Sequence, residues 1–179
     1  MKPLKNLFLA ILVLLICQGC LPRYGAQSLL KGAEASLTSN KIAGNYQNGI
    51  DGERNATLWR YLRDSQRLDL DTTDLPSDVV RLQLSGTEFL NAQLIQNGEV
   101  KASLNIEGEL NENYFMTKRK WLIIPFFPLF YQDFERRALL SKEGDSLVMV
   151  RGRYNGGWLL INGNGHGVIF TNKFPGVTN

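Results

Sequence analysis

Leu90-Asn91-Ala92-Gln93-Leu94-Ile95-Gln96-Asn97-Gly98-Glu99-Val100-Lys101-Ala102-Ser103-Leu104-Asn105-Ile106-Glu107 is the stretch that decides the fold. Leu90, Ala92 and Leu94 alternate with Asn91 and Gln93; Val100, Ala102, Leu104 and Ile106 alternate with Lys101, Ser103, Asn105 and Glu107. A period of two sorts the apolar and polar sets onto opposite faces of a strand. Between the runs, Asn97-Gly98 supplies two residues that accept positive φ, as a two-residue type I′ hairpin requires.

The same alternation extends outward. Upstream, Val80, Leu82 and Leu84 alternate with Arg81 and Gln83. Downstream, strands are expected at about 112–124, 130–141, 145–153 and 157–162, with a shorter one near 168–171. Turn chemistry punctuates them at Ser85-Gly86, Glu107-Gly108, Glu143-Gly144-Asp145 and Asn155-Gly156-Gly157. Ile42-Ala43-Gly44-Asn45-Tyr46 reads as the first strand, and one helix is expected over Asn55–Ser65. Asn55 is its candidate N-cap, with Leu58, Tyr61 and Leu62 on one face, Trp59 beside them and Arg60 and Arg63 opposite. Asn55-Ala56-Thr57 also matches a glycosylation acceptor, but capping is the preferred role.

Many short strands in series predict a mainly β fold. The expected form is an antiparallel meander making a small up-and-down barrel or strongly curved sheet, with one short helix over an open end. No internal repeat is present. The architecture resembles lipocalin-like barrels, on Gly44 and Tyr46 in the first strand. It also resembles uncharacterised β-rich envelope lipoproteins, in which a short helix precedes a meander.

The amino terminus carries a separate message. Met1-Lys2-Pro3-Leu4-Lys5-Asn6 is basic, Leu7–Cys17 is uninterruptedly apolar, and Gln18-Gly19-Cys20 follows. A basic region, a short apolar run and a small residue at the exit form the pattern of a cleaved export signal. The run is too short for a spanning helix, which needs about 20 apolar residues. These residues resemble the type II signal peptide of bacterial lipoproteins, with Gly19-Cys20 at the cleavage step. Cys17 departs from the leucine usual at its position. The resemblance implies that Cys20 becomes the acylated, palmitate-bearing mature terminus. Leu21 lacks the aspartate of inner-membrane retention, so it further implies an outer-membrane anchor facing the periplasm. The expected organisation is a signal at 1–19, a lipidated cysteine and flexible tether at 20–41, and a single barrel-like domain at 42–179. Leu29, Leu30, Ala33 and Leu37 within that tether could also make a short helix.

With Cys17 removed and Cys20 acylated, neither of the two cysteines is left as a thiol, so the exported domain depends on its core for stability. Two of the 20 basic residues lie in the signal, leaving 18 against 17 acidic. That near-neutral balance argues against a nucleic-acid partner. The remaining length is enough for one domain with a real core.

Candidate sites are few. Pro125-Phe126-Phe127-Pro128-Leu129-Phe130 is an apolar connection between two strands. It is open to burial, to partner or membrane contact, or to a place on a cavity rim. If the flanking strands pair about Phe127, Lys118 faces Glu135 and Lys120 faces Asp133, making a charge-matched hairpin. Phe89, Phe115, Trp121 and Trp158 are candidate lining residues if the barrel holds a ligand. Gly163-Asn164-Gly165-His166-Gly167 lacks the following helix and lysine of a phosphate-binding loop and reads as a turn. His166 is the single histidine, too few for a zinc site and without a nucleophile-elbow serine. Asp69, Asp71, Asp74 and Asp78 lack the glycine and glutamate of an EF-hand and read as solvated loop residues. Glu107 and Glu109 flank a glycine without forming a distinctive pair.

No catalytic constellation, metal site or cofactor is therefore expected. The leading expectation is a membrane-anchored, non-enzymatic binding or interaction module that meets an envelope protein partner. The alternatives are a lipocalin-like carrier of a small hydrophobic ligand and, third, an envelope hydrolase.

Overall fold

The computed structural model describes residues 25–50, 53–66, 73–126, 130–159 and 162–177, so Cys20 and the signal lie outside the described residues. The described elements are α1 (Ala26–Glu34), β1 (Gly44–Gln47), β2 (Gly49–Ile50), β3 (Glu53–Thr57), α2 (Leu58–Gln66), β4 (Val79–Ser85), β5 (Phe89–Gln96) and β6 (Glu99–Leu110). After these come β7 (Phe115–Thr117), β8 (Lys120–Phe126), β9 (Phe130–Glu143), β10 (Ser146–Leu159) and β11 (Asn162–Phe174). Antiparallel pairing links them in the order β1-β4-β5-β6-β7-β9-β10-β11, with β8 also on β9. This is the expected meander, a mainly β sheet curled into a half-barrel.

The two ends of that path touch. Tyr46 bridges Gly176, the Gln47 N–H donates to the Pro175 carbonyl, and the Val177 N–H donates to the Asn45 carbonyl. The hairpins turn where expected at Asn97-Gly98, with φ of 54° and 83°, and at Gly86 and Gly144, also at positive φ.

The concave face is packed from both directions. Val80, Leu82, Leu90, Ala92, Leu94, Leu104 and Ile106 point inward from β4–β6; Leu140, Leu147, Met149 and Phe174 do so from β9–β11. Leu58, Trp59 and Leu62 of α2 fill the space between them. Asn48 positions that helix. Its Oδ1 accepts from the Trp59 N–H at 2.8 Å, and its own carbonyl accepts from Leu58 N–H at 2.7 Å. Asn55 is not the cap, because β3 runs through it and the helix starts at Leu58. Thr57 Oγ1 accepts from Arg60 N–H, so the cap is two residues later than the sequence indicates.

Several other expectations are corrected. The segment 26–37 is not a free spacer: α1 docks on the convex face, burying Leu30 and Leu37 against Met116, Leu139 and Val150. Glu107-Gly108 is not a turn but part of β6, where Gly108 makes room for the Phe115 ring. Asn155-Gly156-Gly157 and Gly163–Gly167 are likewise strand, paired to one another residue by residue. A side chain at Gly152 would meet Leu30 and the Ala26 carbonyl, and one at Gly167 would meet Leu29. These strand glycines let the helix sit against the sheet backbone. Val100 is half-exposed because the register slips between Leu94 and Ile95, which breaks the alternation there.

Candidate binding surface on a four-stranded limb

β7 and β8 run in sequence along β9, but with one extra residue on their side. Met116 pairs with Leu139 and Lys120 with Arg136, so three residues oppose two. A bulge of this kind bends the strand. Beyond it β8 pairs with β9, and β8, β9, β10 and β11 form a four-stranded limb.

The limb register corrects the expected hairpin. Phe126 stands opposite Phe130, which centres the pairing on residue 128 rather than 127. Lys120 therefore faces Arg136, and Ile123 faces Asp133. The cations find other acids: Lys118 pairs with Glu107, and Arg119 Nη2 reaches Glu135 at 2.9 Å. Glu135 is only 1% exposed and lies under the start of α1, where a side chain at Gly25 would meet its carboxylate. On this same face Tyr154 has its pKa raised, by burial first and then by the carboxylates of Asp133 and Glu135.

On the opposite, concave side, the limb joins the half-barrel at an arginine cluster. Arg151 is buried, with its guanidinium carbon 3.3 Å from the Tyr61 ring centre and its Nη2 donating to Asn172 Oδ1 at 3.0 Å. Burial lowers its pKa, and Tyr61 opposes that shift. Arg153 pairs with Asp64 at 2.8 Å, and Arg136 Nη1 donates to the Asp64 carbonyl at 3.3 Å. The void among Tyr61, Asp64, Ser65 and these arginines is about 10 Å3, too small for anything larger than a water. Next along the limb is a cleft of about 160 Å3 bordered by Phe134, Arg136, Arg153, Asn155, His166 and Val168. His166 is exposed there, opposite Asn155 on β10.

The far end of the limb is apolar in sequence. Pro125 pairs with Tyr131, Phe126 with Phe130, Trp158 with Tyr131 and Leu159 with Phe130. The candidate contact segment Pro125–Phe130 thus spans the end of β8 and the start of β9, with Phe127, Pro128 and Leu129 outside the described residues. Register brings Trp158 to the same end of the limb, which spacing alone did not reveal. Trp121 stands further down, opposite Glu135.

The remaining candidates separate. Phe115 is fully buried in the concave core, whereas Phe89 is 36% exposed at the start of β5, so the four lining candidates do not surround one space. Asp78 is structural: its Oδ2 accepts from Leu75 N–H at 2.6 Å and from Gln96 Nε2 at 2.8 Å. Asp74 accepts from Asn48, and Asp69 and Asp71 lie outside the described residues. Glu107 and Glu109 border a broad open depression with Glu88, Lys118 and Arg137. Among the described residues no group of three or more His, Cys, Asp or Glu could hold a metal ion.

In comparisons with known proteins, no family model, no curated protein and no solved structure matches this chain.

Proposed function

We propose that the chain is a non-enzymatic interaction module of a bacterial envelope, cleaved after Gly19, acylated at Cys20 and held on the outer membrane facing the periplasm. It meets an envelope component through the end of the limb. The observation that carries this reading is where the apolar residues go. The concave space in which a carrier would hold its ligand is occupied by Leu58, Trp59 and Leu62 of α2. The limb end, by contrast, gathers Pro125, Phe126, Phe130 and Leu159 in two adjacent rows of paired residues. Register thus places an apolar stretch of sequence at the end of the limb rather than in the packed concave core, which supports a contact role.

Envelope fractionation with native mass spectrometry tests the reading. The protein is expected in the outer-membrane fraction, with a mass increment on Cys20 and no co-purifying small molecule. Cys20→Ser is expected to release it from the membrane fraction. A stoichiometric hydrophobic ligand in the folded domain would move the assignment to a carrier.

A further inference from the structure

Register places three cations side by side on the concave face of the limb. Lys120 stands opposite Arg136, and Arg136 opposite Arg153, with Val168 completing the row across β8–β11. Residues directly opposed on one face stand about 4.5–5.5 Å apart at Cβ, and like charges so placed repel each other. The rows on either side add no acid: one holds Leu122, Phe134, Asn155 and His166, the other Ala138, Arg151 and Phe170. The carboxylate that meets these cations comes from α2, where Asp64 pairs with Arg153 at 2.8 Å. Arg136 donates to the neutral Asp64 carbonyl at 3.3 Å. Glu135 borders the cleft from the opposite face of β9, where Arg119 pairs with it at 2.9 Å. Three cations against one carboxylate leave the row two positive charges in excess.

A fourth guanidinium borders the same place. Arg151 is 8% exposed, and its Nε is buried with no hydrogen-bond partner among the described residues. It lines the small void that also touches Arg136 and Arg153, and those two continue into the cleft of about 160 Å3. A buried donor without an acceptor is costly, and an anion beside it would supply one. Phe134 and Val168 give the cleft apolar walls, while Asn155 and His166 stand exposed beside them. Pockets for drug-sized ligands run to about 300–1,000 Å3, so this one suits a single charged group with a small body. Guanidinium forks match the oxygens of a phosphate, and an excess of two positive charges matches a dianion.

We infer that the cleft binds a phosphate monoester, its dianion held by Arg136 and Arg153 beside Lys120, and its esterified body set against Phe134 and Val168. The second pKa of such a group is about 6, so it carries both charges at pH 8. The site lies on the flank of the limb, apart from its end, and does not depend on the envelope reading above. Its exposed border lets an occupant exchange with solvent. The monoester is either a free small molecule or the headgroup of a lipid such as phosphatidic acid.

The test titrates phenyl phosphate into the full chain, purified in a non-ionic detergent at pH 8 and low ionic strength, by isothermal titration calorimetry. Benzoate, with the same ring and one charge fewer, is the control. One-to-one binding of phenyl phosphate at least about tenfold tighter than that of benzoate is expected, and added salt should weaken it. Arg136→Gln should weaken it at least about tenfold, the loss of a charge-assisted hydrogen bond. Lys120→Gln should weaken it several-fold, whereas Lys101→Gln on β6 should leave it unchanged; far-ultraviolet circular dichroism reports folding of each variant. Phosphatidic acid mixed into the micelles, against phosphatidylcholine, separates the two sources: binding of that lipid alone, weakened by Lys120→Gln, assigns the cleft to a headgroup. Binding of neither monoester overturns the inference. So does equal affinity for benzoate, or affinity untouched in both Arg136→Gln and Lys120→Gln.

Discussion

The guanidinium of Arg151 lies over the ring of Tyr61, 3.3 Å from its centre, with Phe170 flanking it at 5.3 Å. The contact ties α2, the helix that fills the half-barrel, to the strand that leads into the limb. A desolvated cation over a ring is worth about 2 kcal/mol. Tyr61→Leu should lower unfolding stability by roughly that amount, because Arg151 stays buried without its ring. Adding Arg151→Met should recover part of the loss, since the buried charge is then gone. Urea titration of the single and double variants checks this; unchanged midpoints for Tyr61→Leu would rule the contact out as a stabilising one.

The docking of α1 depends on a missing side chain. At Gly152 any Cβ comes within 3.1 Å of Leu30 and 3.3 Å of the Ala26 carbonyl. Gly152→Val should lift the helix and expose Leu30 and Leu37, with a cost of about 1.5–3 kcal/mol for each leucine uncovered. Limited proteolysis would then cut between residues 26 and 38 while the meander survives.

Tyr46 sets an alkaline limit. It is 1% exposed and donates its O–H to the Ile42 carbonyl at 2.9 Å, and burial raises its pKa from 10.0 to about 12. The raised value means that the folded state favours the neutral phenol. Its stabilisation is complete below pH 10 and fades as the pH climbs from 10 towards 12. A two-unit shift corresponds to roughly 2–3 kcal/mol. Denaturant midpoints measured across that window should fall for the native chain. Tyr46→Phe should flatten much of that slope, at a cost of about 1 kcal/mol at neutral pH for the lost hydrogen bond.

Asn48 is fully buried and serves three partners through its side chain: Trp59 N–H, Asp74 Oδ2 and the Leu75 carbonyl. Asn48→Ala leaves the first turn of α2 without its acceptor, and an orphaned buried group costs about 1–3 kcal/mol. Asn48→Asp keeps the acceptor but buries a carboxylate against Asp74 Oδ2 and the Leu75 carbonyl, so it should cost at least as much as Asn48→Ala. Thermal unfolding of the pair ranks them, and equal melting temperatures for Asn48→Ala and the native chain would contradict this role.

The core of the meander was legible because its code is local. Leu82, Leu90, Leu94, Leu104 and Ile106 are buried as alternation requires, and Asn97-Gly98 makes its turn. The helix was legible from Leu58, Trp59 and Leu62, although its first residue was displaced by three from the expected Asn55. The support that Asn48 gives to the first turn was missed because that side chain reaches it from a different segment. The limb was only partly legible: Pro125–Phe130 stood out by composition, while Trp158, Leu159 and the arginine cluster joined it through pairings between residues far apart in the chain.

Residue type and spacing alone therefore determined the strand-rich meander, its tight turns and the export pattern ending at Cys20. Each rests on neighbours within a few positions: alternation follows the geometry of a strand, and a turn depends on which residues tolerate positive φ. Tertiary structure decided what the glycines do and what the apolar runs meet. Gly156, Gly165 and Gly167 stand in segments with the composition of turns, yet they lie in extended strands under Tyr154 and α1. A glycine accepts both conformations, and only what packs above it selects one. In the same way, only the cross-strand register aligned Phe126, Phe130 and Leu159 at one end of the sheet, because pairing partners are set by long-range contacts that no short window contains.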